Sequence, residues 1–247
     1  MNIKPKKIEK FSQIQKETLI GILLGDGHLE TLTDGKTYRL CFGQNSKRSQ
    51  YIQMVFEIFE NWIDHPLKKR ICKNTKSSSE YLYFRTRFSS SFRFYALQFY
   101  KEKEKCVPKL ISRWLTPRAL AFWYMDDGSL KSHQSKGVIL NTHCFSFSDV
   151  NRLCIILNTK YNLLAKSRIQ YSKNKEKKSY QIFISGKSLE VLRELITPYF
   201  SEDIWYKFLL PRKARKDKPL PRKGKKLLLS KENPLLCKEK VTNLPKE

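Results

Sequence analysis

Apolar runs and stretches of strict two-residue alternation take turns along the chain. Ser12-Gln13-Ile14-Gln15 matches a capping box, and the apolar TLIGILLG that follows predicts a helix stopping at Gly25-Asp26-Gly27. KTYRLCFGQ, residues 36–44, reads as a strand. Over 47–63 the residues Tyr51, Val55, Phe59 and Trp62 fall on one helical face. EYLYFRTRF, residues 80–88, alternates: Leu82, Phe84 and Phe88 point one way, and Tyr81, Tyr83, Arg85 and Arg87 the other. A further helix is expected over 91–100, and KEKEKCVPKLISR reads as a connection.

The order then starts again. Thr116 is an N-cap with Pro117 at the first helical position, and the helix they open runs through ALAFWYMDDG, residues 119–128. A strand follows over 137–145. Residues 148–161 form a helix with Val150, Leu153, Cys154, Leu157 and Tyr161 on its buried stripe. Residues 166–186 read as a hairpin, and Leu189, Leu192, Ile196 and Tyr199 mark a last helix. Each half therefore reads helix, hairpin, helix, hairpin, helix, which predicts two copies of one unit related by a pseudo-twofold axis. The expected divisions are 1–105, 106–210 and 211–247. The last contains PRKARKDKPLPRKGKK and reads as an extended or disordered basic tail.

Composition narrows the class. A chain of 247 residues with 40% hydrophobic and 13% aromatic content can build real cores, which excludes a disordered polycation. With 49 basic against 23 acidic side chains the net charge is +26, a field that captures polyanions, nucleic acids first among them. No apolar run reaches the length of a bilayer span, and MNIKPKKIEKF lacks a secretory apolar segment, so a soluble, intracellular protein without a membrane partner is expected. The six cysteines form no CxxC pair and the four histidines no HxxxH spacing, so neither a disulfide framework nor a zinc site is expected.

The candidate chemistry lies at the tips of the two most apolar helices. One ends at Asp26 and the other, about a hundred residues later, at Asp127, each followed by glycine. A single such tip is an ordinary turn. An acidic side chain at a helix C-terminus opposes the macrodipole, however, and two of them at corresponding places in a strongly basic chain ask for a cation.

LIGILLGDG (19–27) and LAFWYMDDG (120–128) resemble the paired nine-residue signature of the LAGLIDADG homing endonucleases, and the two-motif layout is similar to their monomeric, intron-encoded members. The similarity spans about residues 12–211 and takes in LTPRALAFWYMDDG, VILNT followed by FS, and WYK followed by LP. Leu24 and Met125 depart from the first aspartate of the signature, and Phe122 departs from its glycine. The resemblance implies an α+β fold of two pseudo-symmetric αββαββα repeats: an antiparallel β-saddle over DNA, with the motif helices packed at its centre. It implies a site-specific double-strand endonuclease that uses two or more Mg2+ ions, Mn2+ being expected to substitute. Asp26 and Asp127 would carry metal and catalysis, with Gly25 and Asp126 contributing backbone carbonyls. Lys105 and Lys207 occupy corresponding positions after each repeat and would orient water or stabilise charge on the phosphate.

A two-stranded ribbon fits the major groove, where every base pair is distinguishable. The candidate DNA-contacting residues of the first half are Tyr81, Tyr83, Arg85 and Arg87, with Arg39 and Gln44. Those of the second half are Asn141, Arg168, Gln170, Ser172, Lys177, Ser179 and Gln181, while Ile169, Tyr171, Tyr180, Ile182 and Ile184 would face the helices. The halves carry different side chains, so a long, asymmetric double-stranded target is expected, with the remaining lysines on phosphates. Two other readings share the scaffold: a group I intron maturase whose partner is its host intron RNA, and a DNA-binding regulator. A protein that only binds has no reason to keep both motif aspartates, and both are present. The Lys, Asn, Ile, Tyr and Phe richness is what an A/T-rich gene encodes, and the resemblance points to a mitochondrion or chloroplast.

Overall fold

The two apolar runs that end in carboxylates form neighbouring helices. A computed structural model of the chain describes residues 10–74, 77–132, 135–171 and 178–209. Helix α1 spans Gln13–Leu24. Its capping box is complete: the Gln15 N–H donates to Ser12 Oγ at 3.1 Å, and the Ser12 N–H donates to Gln15 Oε1 at 3.0 Å. After it come β1 (His28–Glu30), β2 (Arg39–Asn45), α2 (Ser49–Ile58), β3 (Lys68–Asn74), β4 (Ser77–Arg85), α3 (Arg93–Phe99), β5 (Tyr100–Lys101), β6 (Glu104–Lys105) and α4 (Ile111–Trp114). The second half repeats the plan with α5 (Pro117–Asp127), β7 (Gly128–Ser132), β8 (Ser135–Asn141), α6 (Phe147–Tyr161), β9 (Ala165–Tyr171), β10 (Lys178–Ile184), α7 (Leu189–Ile196) and α8 (Tyr206–Leu209).

Two four-stranded antiparallel sheets result, ordered β1-β2-β4-β3 and β7-β8-β10-β9. The same order in each half is the pseudo-symmetry expected from the repeat. Each sheet lays one face on helices: Leu40, Phe42, Phe84 and the aromatic side of α2 in the first half, Val138, Leu140, Ile182 and Ile184 in the second. The four residues placed on one face of the helix over 47–63, Tyr51, Val55, Phe59 and Trp62, are fully buried. Phe11 extends this core by stacking on the Trp62 ring, with centroids 4.4 Å apart.

Helices α1 and α5 are buried nearly all round, which explains their lack of a polar face. They approach closely at Gly21, where an added Cβ would lie 2.5 Å from the Ala119 carbonyl oxygen and 2.7 Å from Phe122 Cβ. The bulk of Phe122, where the signature has glycine, is thus met by the glycine of the other helix.

The strands differ in detail from the sequence expectation. β1, β3 and β7 were not anticipated: β1 is three residues long, and β3 (KKRICKN) is mostly charged, so neither carries an apolar alternation. The expected connection after residue 100 contains the hairpin β5–β6. β8 stops at Asn141 instead of residue 145, because a turn follows in which the Phe145 N–H donates to the Thr142 carbonyl at 3.1 Å. Ser146 then caps α6 by accepting the Asp149 N–H, so the helix starts at Phe147, one residue earlier than expected. Ile169 and Tyr171 are 45% and 56% exposed, so the outer end of the β9–β10 hairpin runs past the helices meant to cover it. The basic segment 211–247 lies outside the described residues. Among the described residues no helix is long and apolar enough to cross a membrane.

Candidate active site

Helix α1 ends at Leu24, three residues before its motif does. The Gly25 N–H donates to the Gly21 carbonyl at 3.2 Å and the Gly27 N–H to the Ile22 carbonyl at 2.7 Å, so the chain turns under Asp26 and leaves it exposed at the tip. Helix α5 continues through Asp127, which is half-buried, and Asp126 beside it is buried. Gly25 makes room for that carboxylate, since an added Cβ would lie 2.4 Å from Asp126 Oδ2.

Asp126 gathers donors from the first repeat. Its Oδ2 accepts the Asp26 backbone N–H at 3.0 Å, and its Oδ1 accepts Gln44 Nε2 at 3.1 Å and the Tyr51 hydroxyl at 2.8 Å. Gln44 Nε2 also donates to Asp26 Oδ2 at 2.7 Å. Gln44 Oε1 accepts from Arg48 Nη1 at 2.9 Å, and Arg48 Nη2 reaches the Tyr206 hydroxyl at 3.1 Å. Arg48, Tyr51 and Tyr206 were missed in the sequence. The Gln44–Arg48 spacing bridges the end of a strand and the start of a helix, so no single period marks it.

The two predicted lysines take equivalent places. Lys105 donates to the carbonyls of Gly25 at 2.7 Å and Gly27 at 2.9 Å; Lys207 donates to those of Met125 at 2.5 Å and Asp126 at 2.8 Å. Each ammonium satisfies carbonyls orphaned at a helix C-terminus and complements the dipole there. The Gly25 and Asp126 carbonyls, expected to face metal, thus each hold a lysine and keep a second lone pair. Asn141 donates to the Asp127 carbonyl at 3.0 Å and accepts from Gln181 Nε2 at 2.7 Å.

Burial and, next, the negative charge of Asp26 push Asp127 up to about 7, against the pull of Lys105 and Lys207. Burial followed by the charges of Asp26 and Asp127 holds Asp126 well above the usual carboxylate range, although the Asp26 N–H and Tyr51 oppose this. Burial and then the Arg48 charge lower Lys207 to about 8, and burial lowers Lys105. Asp26 thus raises the proton affinity of both neighbours, and three carboxylates gathered at two helix tips form an oxygen-rich site suited to a hard cation. Clefts of about 730 Å³, lined by Asp26, Gln44, Arg48 and Tyr81, and about 530 Å³, lined by Asp126, Ser129, Lys131 and Lys207, open beside them.

The sheet faces turned away from the core carry much of the expected polar chemistry. Tyr81, Tyr83 and Arg85 share that face of β4 with Lys68 and Arg70 of β3, as the pairings Arg70–Tyr81 and Lys68–Tyr83 require. Arg70 lies 5.8 and 5.7 Å from the centroids of the Tyr81 and Tyr83 rings. Arg39 is on the same face but is bonded to the Glu30 carboxylate and stacked 4.5 Å over Phe88. Gln44 is a correction: it pairs with Leu82 on the core side of β2 and is buried between the aspartates. Arg87 is another, since β4 ends at Arg85 and Arg87 packs 5.4 Å over Trp62, 3.7 Å from Asp64. In the second half Arg168 and Gln170 are exposed opposite Gln181 and Ser179. Gln181 is buried and held by Asn141. Ser172 and Lys177 lie outside the described residues.

His28, Glu30 and Cys41 also bring ligand-type atoms within 4.8 Å of one another, on β1 and β2. Glu30 there is shared between Arg39 and Arg85, two guanidinium charges that oppose a second cation, and burial and Glu30 push the Cys41 thiol up to about 12.

Residues 16–192 match the model of the LAGLIDADG DNA endonuclease family. The chain is 34% identical over 200 residues to the cytochrome b mRNA maturase bI2 of Saccharomyces cerevisiae, covering 76% of this chain and 46% of that protein. It is 31% identical over 211 residues to the probable intron-encoded endonuclease 1 of Wickerhamomyces canadensis, covering 83% of this chain and 87% of that one. Its fold matches that of the homing endonuclease I-WcaI bound to its DNA recognition sequence with a TM-score of 0.73 and 28% identity, over 81% of this chain and 88% of the other. With two motif helices in contact and a matching sheet beside each, this chain belongs to the LAGLIDADG DNA endonuclease family.

Proposed function

We propose that the chain is a monomeric homing endonuclease that hydrolyses one phosphodiester in each strand of a long, asymmetric DNA site. The observation that carries this is the packing of the two motif helices at Gly21 and Gly25 with their carboxylate tips together, the Asp26 N–H donating at 3.0 Å to Asp126, the neighbour of Asp127. The Asp26 and Asp127 carboxylates would hold divalent metal, with the free lone pairs of the Gly25 and Asp126 carbonyls completing the oxygen set. Mg2+ or Mn2+ bound there supplies Lewis-acid charge for activating water and for stabilising the leaving oxygen.

The protein's own groups supply positioning and field. Lys105, half-buried, and Lys207, buried, each held against a helix end, place positive charge beside a phosphate that reaches the aspartates. Arg48, braced by Gln44 and Tyr206, offers further donors from the cleft at Asp26. The exposed sheet faces would enter the major groove and hold the scissile phosphates over the helix tips. Asp26→Asn and Asp127→Asn are expected to retain DNA binding in Ca2+ and to lose at least about a hundredfold in double-strand cleavage in Mg2+. A wild type that binds a specific duplex but leaves it intact in Mg2+ and Mn2+ would sink this reading.

A second role, as a group I intron maturase, is supported by the 34% identity to a yeast mRNA maturase. It predicts tight binding to the host intron RNA that survives both aspartate substitutions. The same relative, a maturase of cytochrome b mRNA, supports placement in a mitochondrion.

A further inference from the structure

We infer that Asp126, a residue of the second repeat, positions the reacting groups of the first repeat, so that the two DNA strands are cut by sites of unequal construction. This rests on the nuclease reading.

The asymmetry is written into the motifs. Asp126 and Gly25 occupy the same place in their respective signatures, so the first motif has no side chain with which to return the contact. Asp126 reaches across the helix pair and accepts three hydrogen bonds from the first repeat, from the Asp26 N–H, Gln44 Nε2 and the Tyr51 hydroxyl. Two of those donors belong to groups at the first cleft. The Asp26 N–H fixes the turn that aims the Asp26 carboxylate, and Gln44 holds that carboxylate with the same nitrogen that binds Asp126. Gln44 passes the constraint on to Arg48, and Arg48 to Tyr206, which again comes from the second repeat. At the second tip Asn141 secures the backbone carbonyl of Asp127, and Trp123, from the same repeat, lies against its carboxylate. Asp126 is therefore a positioning residue for the Asp26 site, and among the described residues no side chain of the first repeat returns a hydrogen bond to Asp127.

An asparagine at 126 cannot reproduce the pattern. If its oxygen faces Gln44 and Tyr51, its NH2 meets the Asp26 N–H, donor against donor; if it is flipped, the NH2 meets the Gln44 NH2. The test uses a duplex recovered from a randomised pool by binding to the full chain in Ca2+, with each strand labelled separately and cleavage followed in Mg2+. Gln44→Ala serves as the reference that identifies the strand served by the Asp26 site. Asp126→Asn is expected to slow that same strand about tenfold more than the other, and the double variant to add little to either single one. In the DNA-free protein the Asp26 amide is expected to exchange its hydrogen faster in Asp126→Asn than in the wild type, a readout independent of cleavage.

Tyr51→Phe removes one donor without changing the shape of the core and carries the same strand test if Asp126→Asn does not fold. Equal slowing of both strands, slowing of the strand that Gln44→Ala spares, or unchanged exchange at Asp26 would overturn the inference. If the wild type binds the duplex and cuts neither strand, the nuclease reading fails and this inference falls with it.

Discussion

Asp127 carries an opposition between function and stability that can be measured without DNA. In the folded chain burial and Asp26 hold it at about 7, whereas an unfolded carboxyl titrates near 3.8. The native state therefore keeps a proton that the unfolded chain gives up. The associated stability is fully present below about pH 4 and lost as pH rises through about 7, amounting to about 4 kcal/mol at most. In EDTA, Asp127→Asn should melt above the wild type at pH 8, and the gap should close near pH 4; a gap independent of pH would refute the linkage. Divalent ion should raise the wild-type melting temperature at pH 8 and leave that of Asp127→Asn much less affected. The aspartates could be located in the sequence because the motif fixes their register, and the lysines because they stand at corresponding positions after each repeat. Gln44 was misplaced because pattern reading sends polar residues to solvent or ligand, and this one is polar at a core position, where the Asp126 side chain satisfies it.

Among the elements, the β5–β6 hairpin shows how a local rule can be broken to place one side chain. Glu102 and Lys103 at its turn adopt φ of 51° and 68°, left-handed values that cost L residues roughly 1–2 kcal/mol each. The two-residue turn brings Lys105 back to the end of α1, where it binds the Gly25 and Gly27 carbonyls. Asn and Gly are the residues suited to such a turn. Replacing Glu102 by Asn and Lys103 by Gly should stabilise the protein by about 1 kcal/mol, read as a higher denaturant midpoint at unchanged slope. The turn could not be read from KEKEK because none of its residues signals a reversal. Helices α1 and α5 were legible from end to end, since capping box, Thr-Pro start and terminal glycines agree with their apolar content. Strand β3 was not, because pairing with β4 rather than any alternation of its own creates it.

For the whole molecule, two sheets of identical order present unlike chemistry. The first presents the half-buried Tyr81 and Tyr83 and the exposed Arg85, with Arg70 stacked among them; the second exposes Arg168 and Gln170. Duplication of the fold was legible from the repeated motifs, and the divergence of the faces from the alternation in β4 and β10. Which arginines are already engaged was not, because Arg39 and Arg87 find their partners in residues remote from their own strand's pattern. Backbone geometry common to both halves implies two half-sites at related positions, and unlike side chains imply that the half-sites differ in sequence. Arg85→Ala should therefore relax base preference only in the half beneath the first sheet, and Arg168→Ala only in the other, each costing about 1–3 kcal/mol on the cognate duplex. Both should leave binding to unrelated DNA nearly unchanged, since that term comes from the wider excess of lysine and arginine and falls steeply with salt. Selection of bound sequences by each variant checks this. Relaxation spread over both halves would mean that these arginines grip phosphates instead of reading bases, and would return the reading of sequence to other side chains of the same faces.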